Sequence, residues 1–510
     1  MKLIVKCEYC NKPAEIVSEE YLEALSQYLR KYSCGHSILA DKLISTARDD
    51  DFNAIVPGKR AYPFQIEGIK FLEEHNFTGL NADQMGLGKT IQGLLVLRRN
   101  FQVLTPAIVI VKSATIYQWI REYNEWCSDE PMTICPVTSP KFPILPCFYT
   151  YVVSMDSLAR NGLYKRLAAI KPKLIIIDEC HSFKDPSAQR TKALLNLINE
   201  GNIQHKILLS GTPIKNRADE YFTALNMVAP EYFPSLSRFQ SNWLEIDEKG
   251  KYSHIRHWLY DRFTETIKPF VIRREKKDVL PDLPKLSREY RPVVIEDASL
   301  KLAYNTKLKQ IENEMEGWDN FELNDNLMAL RRIVGKAKLP CAIEHIIEFL
   351  EQTEDDKLAI GIHHKEVRET IQAAIKAQGY KCLSLSGEDS AIQKEWIVKR
   401  FQELENRVCV LNMLAGGYGL NLQFCHDSLI LERQWNSADE EQFESRFHRD
   451  GQKYPVNIVY LVAFGTIDQF FHDLVEEKRQ MFGETIQGWK ISGDHTAMRQ
   501  LAEKAILHKL

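Results

Sequence analysis

The stretch Asp83-Gln84-Met85-Gly86-Leu87-Gly88-Lys89-Thr90 restricts this chain more than any other. A short apolar run, Gly79 to Ala82, precedes it and an amphipathic run, Ile91 to Leu97, follows, so it reads as strand, loop and helix. Gly86 and Gly88 let the backbone come close to a ligand, and successive N–H groups at a helix N-terminus face an anion. Lys89 is placed to reach terminal phosphates and Thr90 to offer a hydroxyl to Mg²⁺. The general pattern G-x-x-x-x-G-K-[ST] starts with glycine, and here Asp83 holds that position. A purely structural Gly-rich corner is the competing reading, and the rest of the chain has to decide.

With 510 residues, two or three domains are expected. No apolar run approaches the ~20 residues that cross a bilayer, and Met1 to Val5 is too short for a secretory segment. A net charge of −3 leaves the partner open, because a nucleic-acid-binding protein needs only one basic channel. Eleven cysteines, mostly among apolar residues, suit a reducing compartment. The expected location is the cytoplasm, with the nucleoid, or the host cytoplasm for a viral chain; no membrane partner is expected.

Cys7-x-x-Cys10 and Cys34-x-His36 are two close pairs of soft ligands, the requirement of a tetrahedral Zn²⁺ site. Buried thiols beside a chance Cys-Gly-His are the alternative. The spacer Ser18 to Lys31, with Leu22, Leu25 and Leu29 near one face, reads as helical. Residues 1–50 are therefore expected to be a small zinc-binding module.

Beyond it, apolar runs recur with polar residues at their carboxyl ends: Ala107 to Val111 before Lys112, Tyr149 to Val153 before Ser154, Ile207 to Leu209 before Ser210-Gly211-Thr212-Pro213. Lys173 to His181 reads K-L-I-I-I-D-E-C-H, placing Asp178 to hold Mg²⁺ and Glu179 to orient a water. Strand, short polar loop and helix in repetition predict an α/β fold with parallel sheets. Residues 214–270 read as helical and aromatic-rich, packing rather than binding. Pro281 and Pro284 suggest a linker, and Arg331, Arg332, Lys336 and Lys338 form a basic cluster on a helical stretch. A second α/β half starts near Pro340; its last motif is Gln442-Phe443-Glu444-Ser445-Arg446-Phe447-His448-Arg449-Asp450-Gly451-Gln452, before a final strand, Pro455 to Phe464. On a helix, Arg446 and Arg449 share one face, a pair of guanidinium forks suited to a phosphoryl transition state.

Over residues 56–485 the chain resembles the Swi/Snf-type ATPases of helicase superfamily two, DNA translocases with two RecA-like lobes. The resemblance rests on Y-P-F-Q-I-E-G, D-Q-M-G-L-G-K-T, D-E-C-H, L-S-G-T-P, F-V-I-R-R-E-K-K-D-V-L-P-D-L-P, G-G-Y-G-L-N-L and Q-F-E-S-R-F-H-R-D-G-Q. Asp83 is usual at its position in that family. A-K-L-P-x-x-I-E-x-I and the pair His363-His364 are similar to the annealing-helicase and fork-remodelling branch, and the short flanks suit a bacterial or viral enzyme. The implied organisation is a zinc module (1–50), a first lobe with a helical insertion (51–275), a linker and helical region (276–340), a second lobe (341–488) and a helical tail (489–510). The resemblance implies that Gln65 contacts adenine, that Gly86, Gly88, Lys89, Thr90 and Asp178 bind ATP and Mg²⁺, and that Asp178 and Glu179 carry hydrolysis. Arg446 and Arg449 complete the site, with Arg449 as the arginine finger. Lys112, Ser154, Ser386 and Gly417 fall where the family grips DNA, and His181, Ser210, Thr212 and Gln442 fall where it couples hydrolysis to movement. The implied activity is ATP-driven translocation on double-stranded or branched DNA, with replication and recombination proteins as possible partners in repair. A strand-separating helicase and the motor of a restriction system are the alternatives.

Overall fold

A computed structural model describes residues 4–6, 13–22, 27–40, 52–127, 133–214, 218–246, 252–314, 320–413, 420–434 and 437–485. Two parallel sheets organise it. The first has seven strands, ordered Val271–Ile272, Gly79–Asn81, His205–Leu209, Leu174–Asp178, Ala107–Val111, Thr150–Ser154, Ile134–Val137. Its central strands are continuous apolar runs because helices cover both faces; Ile108, Val109, Ile175, Ile176, Ile207 and Leu208 are fully buried. Alternate residues feed two cores, one on each face of the sheet.

The second sheet has six strands, ordered Leu286–Val293, Val456–Ala463, Asp427–Ile430, Leu358–Ile362, Val408–Asn412, Cys382–Leu385. Every neighbouring pair is again parallel. The expected α/β class with two parallel-sheet lobes is thus present. The stretch expected to be linker and helix contributes a strand, since Leu286–Val293 pairs with Val456–Ala463 along its whole length. The second sheet therefore starts well before residue 341. Pro292 and the charges at 288, 289 and 291 hide this strand in the sequence; they are tolerated because it lies at the sheet edge, where one side of the backbone needs no partner.

Two other expectations change. The spacer between the Cys pairs is not helical: Pro13–Leu22 pairs antiparallel with Gln27–Tyr32, and that strand with Ser37–Ala40. Leucines at near-helical spacing are overridden by cross-strand pairing, such as Tyr21 opposite Tyr28. The basic cluster lies on a helical stretch as expected and divides in two, Arg332 exposed and Lys336 half-buried against a buried Arg331 and Lys338. Lys338 is buried, donating to Asp468 at 2.7 Å and to the Leu461 carbonyl at 3.1 Å, and the Arg331 guanidinium is buried over the Phe471 ring. Within 214–270, Phe233, Phe239, Phe263 and Trp243 pack together as expected, but Trp258 is 62% exposed. Cys7, Cys10, Gly417 and residues 489–510 lie outside the described residues. Among the described residues no helix is long and apolar enough to cross a membrane.

Candidate active site between the lobes

The phosphate loop leaves Gly79–Asn81 and ends at the helix Lys89–Arg99. Gly86 and Gly88 have φ of +91° and +71°, the left-handed region that favours glycine. A Cβ on Gly88 would lie 2.3 Å from Gln65 Nε2, so this glycine also makes room for a neighbour. Lys89 Nζ donates to the carbonyls of Asp83 (2.7 Å) and Gln84 (3.3 Å), closing the loop on itself. Burial lowers its pKa, against the opposing pull of Glu179, Asp83 and Asp178. Gly211 lets the Ser210–Pro213 turn pass: a Cβ there would meet Met85 Cγ at 2.5 Å and Lys89 Nζ at 3.3 Å.

Asp83 has a clear structural task. Its carboxylate is fully buried and accepts from Arg274 Nε (3.0 Å) and Nη2 (2.6 Å) and from Gln92 Nε2 (3.0 Å). Arg274 also donates to Gln92 Oε1 at 3.0 Å and to the Phe64 carbonyl. One guanidinium therefore ties the phosphate loop, its helix and the preceding helix Pro63–Glu74 together. Gly68 leaves space for this clamp, because a Cβ would sit 2.6 Å from Arg274 Nη2. Gln65 locks the same helix: its Oε1 accepts from the Tyr62 N–H at 2.9 Å and its Nε2 donates to the Leu87 carbonyl at 3.1 Å.

Asp178 ends the strand Leu174–Asp178, two strands from the phosphate loop's own strand. Trp119 Nε1 donates to its Oδ2 at 2.9 Å and the Glu179 N–H to its Oδ1 at 3.0 Å. Burial, reinforced by the neighbouring Glu179, pushes its pKa up to about 6. Burial acts upward on Glu179 too, but His181, Lys112 and Lys89 outweigh it and hold that carboxyl well below its usual range. His181 Nδ1 lies 3.2 Å from Glu179 Oε2 and 3.0 Å from Ser210 Oγ, and Ser210 Oγ accepts from the Thr212 N–H at 3.2 Å. The residues expected to couple hydrolysis to movement are thus one contiguous polar chain.

The second lobe reaches this chain directly. Gln442 Nε2 donates to Glu179 Oε1 at 2.9 Å. Tyr62 Oη donates to Asp450 Oδ1 at 2.6 Å, which pushes the phenol up to about 12. Arg446 and Arg449 do not share a helix face, because the helix Ser437–Glu444 stops short of both. They sit in the turn that follows, closed by Arg446 N–H to Phe443 O and His448 N–H to Glu444 O, each at 3.0 Å. A cleft of about 670 Å³ between the lobes is lined by Gln65, Gly86, Gly88, Glu122, Arg449 and Asp450 among others. Arg449 faces it and Arg446 is not among its lining residues. The Arg449 Nε is buried without a hydrogen-bond partner among the described residues.

Lys112 and its neighbour Ser113 line a second cleft of about 630 Å³ with Lys184 and Arg190 at the carboxyl ends of the first sheet. Ser154 is buried beneath it, 2.5 Å from Ser113 Oγ. Ser386 donates its N–H (2.6 Å) and hydroxyl (3.0 Å) to Asp389, closing its own turn. Cys34 Sγ and His36 Nδ1 are 3.4 Å apart, and the described residues contain no group of three or more metal-ligating side chains.

Sequence reasoning passed over three site residues. Trp119 reads as one of several aromatics on an amphipathic helix, and only the fold brings its indole to Asp178. Arg274 and Lys276 lie in the matched R-R-E-K piece, yet 191 residues separate Arg274 from Asp83. Lys276 donates its backbone N–H to Gln84 Oε1 at 2.7 Å and its ammonium to the His448 carbonyl at 2.5 Å. Burial, with Arg449 beside it, lowers that ammonium to about 7.

Two family models match this chain. Residues 64–351 match the SNF2-related domain and residues 341–451 the helicase conserved C-terminal domain. The chain is 27% identical over 456 residues to the Mus musculus DNA annealing helicase and endonuclease ZRANB3, covering 84% of this chain and 41% of that protein. It is 28% identical over 434 residues to the Xenopus tropicalis SWI/SNF-related matrix-associated actin-dependent regulator of chromatin subfamily A-like protein 1, covering 84% and 45%. An uncharacterized ATP-dependent helicase of Mycoplasma pneumoniae is 26% identical, over 83% of this chain and 42% of its own length. The chain thus spans less than half the length of these relatives. Among solved structures, the Sulfolobus solfataricus SWI2/SNF2 ATPase core in complex with dsDNA aligns with 90% of this chain and 99% of its own at 24% identity, with a TM-score of 0.42. With its SNF2-related domain extending over more than half of its length, this chain belongs to the SNF2-related family.

Proposed function

We propose that this protein is an ATP-dependent double-stranded DNA translocase that remodels branched DNA by branch migration, fork reversal or strand annealing. The observation that carries the reading is the composite site: phosphate loop and carboxylates on one lobe, Gln442 and Arg449 brought to them by the other. Hydrolysis built from two lobes requires their closure, and closure is the unit of movement. Lys89 and the N–H groups of residues 86–90 receive the nucleotide phosphates. Glu179, held ionised by His181, Lys112 and Lys89, orients the attacking water. Asp178 and Thr90 would hold Mg²⁺, which when bound neutralises phosphate charge; the raised pKa of Asp178 beside a second carboxylate fits a site completed by a cation. Arg449 stabilises the charge that develops on the transferred phosphoryl group. Lys112, Lys184 and Arg190 offer a backbone-gripping face that reads no bases.

The relative named as a DNA annealing helicase and endonuclease supports strand annealing among these outputs. Steady-state ATP hydrolysis without nucleic acid and with single strands, plain duplex and a four-way junction tests the reading. Stimulation by duplex, and more by the junction, is expected; stimulation by single strands alone would replace it with strand separation. A zinc site on Cys7, Cys10, Cys34 and His36 is a further part of the proposal, supported by the 3.4 Å approach of Cys34 and His36. About one equivalent of protein-bound zinc, lost in Cys34→Ser, is the expected result of metal analysis.

A further inference from the structure

The segment between the two lobes holds one cation whose surroundings the hydrolytic scheme does not use. Lys276 lies in the short helix Lys276–Val279, just after the Arg273–Arg274 pair, and is 8% exposed. Its backbone N–H is fixed to the phosphate loop through Gln84 Oε1 at 2.7 Å. Its side chain then runs over Gly86, where a Cβ would come within 3.1 Å of Cε and 3.2 Å of Nζ. The ammonium ends on the carbonyl of His448, the residue before Arg449, at 2.5 Å. Arg449 is packed against the same glycine, its Cβ 3.5 Å from where a Gly86 Cβ would sit. One side chain therefore spans from the phosphate loop of the first lobe to the arginine turn of the second. His448 is anchored separately, its Nε2 lying 2.7 Å from the Pro284 carbonyl, and Asp450 accepts from Tyr62 Oη at 2.6 Å, while Lys276 hydrogen-bonds both the turn and Gln84 of the phosphate loop.

We propose that Lys276 is a positioning residue that docks the Arg449 turn on the phosphate loop and so sets the arginine for the transition state. The inference rests on the ATPase reading above and concerns which residue orients its second-lobe arginine. A positioned arginine contributes chiefly in the transition state, so its loss shows in kcat rather than in KM. A charge-assisted hydrogen bond of this kind is worth roughly a 10- to 100-fold change in rate. Methionine keeps the length and apolar stem of Lys276 and removes the donor.

The test is DNA-stimulated ATP hydrolysis by the full chain as wild type, Lys276→Met, Arg449→Ala and the double variant, with Lys277→Met as an exposed control. Lys276→Met should lower kcat by about 10- to 100-fold with KM for ATP changed by less than about 3-fold. In the Arg449→Ala background the same substitution should change kcat by less than about 2-fold, because both act through one guanidinium. Unchanged kcat, a raised KM with kcat intact, or a full additional drop in the double variant would overturn the inference. A wild type that hydrolyses no ATP on any DNA would instead remove the functional reading beneath it.

Discussion

The two lobes share a parallel-sheet plan and use charge in different ways. In the first, charged and polar groups converge on the open carboxyl ends of the strands: Asp83 and Arg274 behind the phosphate loop, Asp178 and Glu179 in front of it. In the second, the ionic residues are buried behind the arginine-bearing turn. Arg433 pairs with Glu440 and Glu476 at 2.6 Å each, Arg479 with Glu440 at 2.9 Å and Glu444 at 3.4 Å, and Arg288 with Glu444 at 2.5 Å. Tyr460 Oη donates to Glu444 at 2.5 Å. This network joins the helix Ser437–Glu444, the helix Ile467–Thr485 and the edge strand Leu286–Val293. In the proposed mechanism the first lobe holds most of the chemistry, while the second presents one turn mounted on this ionic network. Buried ion pairs are poor sources of net stability but specify geometry when every partner is satisfied.

Substitutions can break that contrast. The largest effects belong to the groups that touch phosphate or water. Arg449→Ala should lower kcat by about 10³- to 10⁵-fold, the span of an arginine finger, with nucleotide binding retained in a fluorescent-ATP titration. Glu179→Gln should lower turnover by at least about 10²-fold while leaving ATP binding intact; unchanged turnover would remove Glu179 from the site. Next come the two ionic assemblies. Arg274→Ala leaves the Asp83 carboxylate buried and unpaired, and Arg479→Ala takes a partner from both Glu440 and Glu444. Arg274→Ala should destabilise its lobe by about 3–5 kcal/mol, and Arg479→Ala by less, about 1–3 kcal/mol, because Glu440 and Glu444 keep Arg433 and Arg288; chemical denaturation reads both. Loss of ATP affinity is expected only from Arg274→Ala, because only that clamp touches the phosphate loop.

Acid should weaken the ionic network of the second lobe more gently. Arg479 and Arg288 overcome the burial of Glu444 and hold it down at about 2, and His364 with two backbone N–H groups does the same for Glu432. Because these folded-state values lie below the ordinary 4.5, the stabilisation is fully present above that pH. It falls away as pH drops toward 2. Melting curves between pH 6 and 2 should therefore show the gap between wild type and Glu444→Gln narrowing below about pH 4.5. The smallest effect is Tyr62→Phe, which removes one cross-lobe hydrogen bond worth about 0.5–1.5 kcal/mol and should shift KM for ATP by no more than about 10-fold.

Much of this was legible in the sequence because local pattern and local chemistry coincide there. Gly-x-Gly-Lys-Thr between an apolar run and an amphipathic run marks a strand-to-helix corner, and four apolar residues ending in Asp178-Glu179 deliver carboxylates to the mouth of a parallel sheet. The class of both sheets followed from the same repeated unit. The edge strand at 286–293 escaped because proline and charge are read against a strand unless its edge position is known. The arginine turn was misplaced because a helical spacing of three says nothing about where the helix stops. The β-hairpin between the Cys pairs was hidden because cross-strand pairing outweighs leucine spacing. What the sequence by itself determined was the inventory: which glycines, carboxylates and cations are available at strand ends, and which strands are buried on both faces. Only the tertiary structure decided why Asp83 replaces glycine, that Trp119 serves Asp178, and that Lys276 joins the phosphate loop to the arginine turn. These contacts close across 59 to 191 residues, and partners that distant leave no periodicity in the chain.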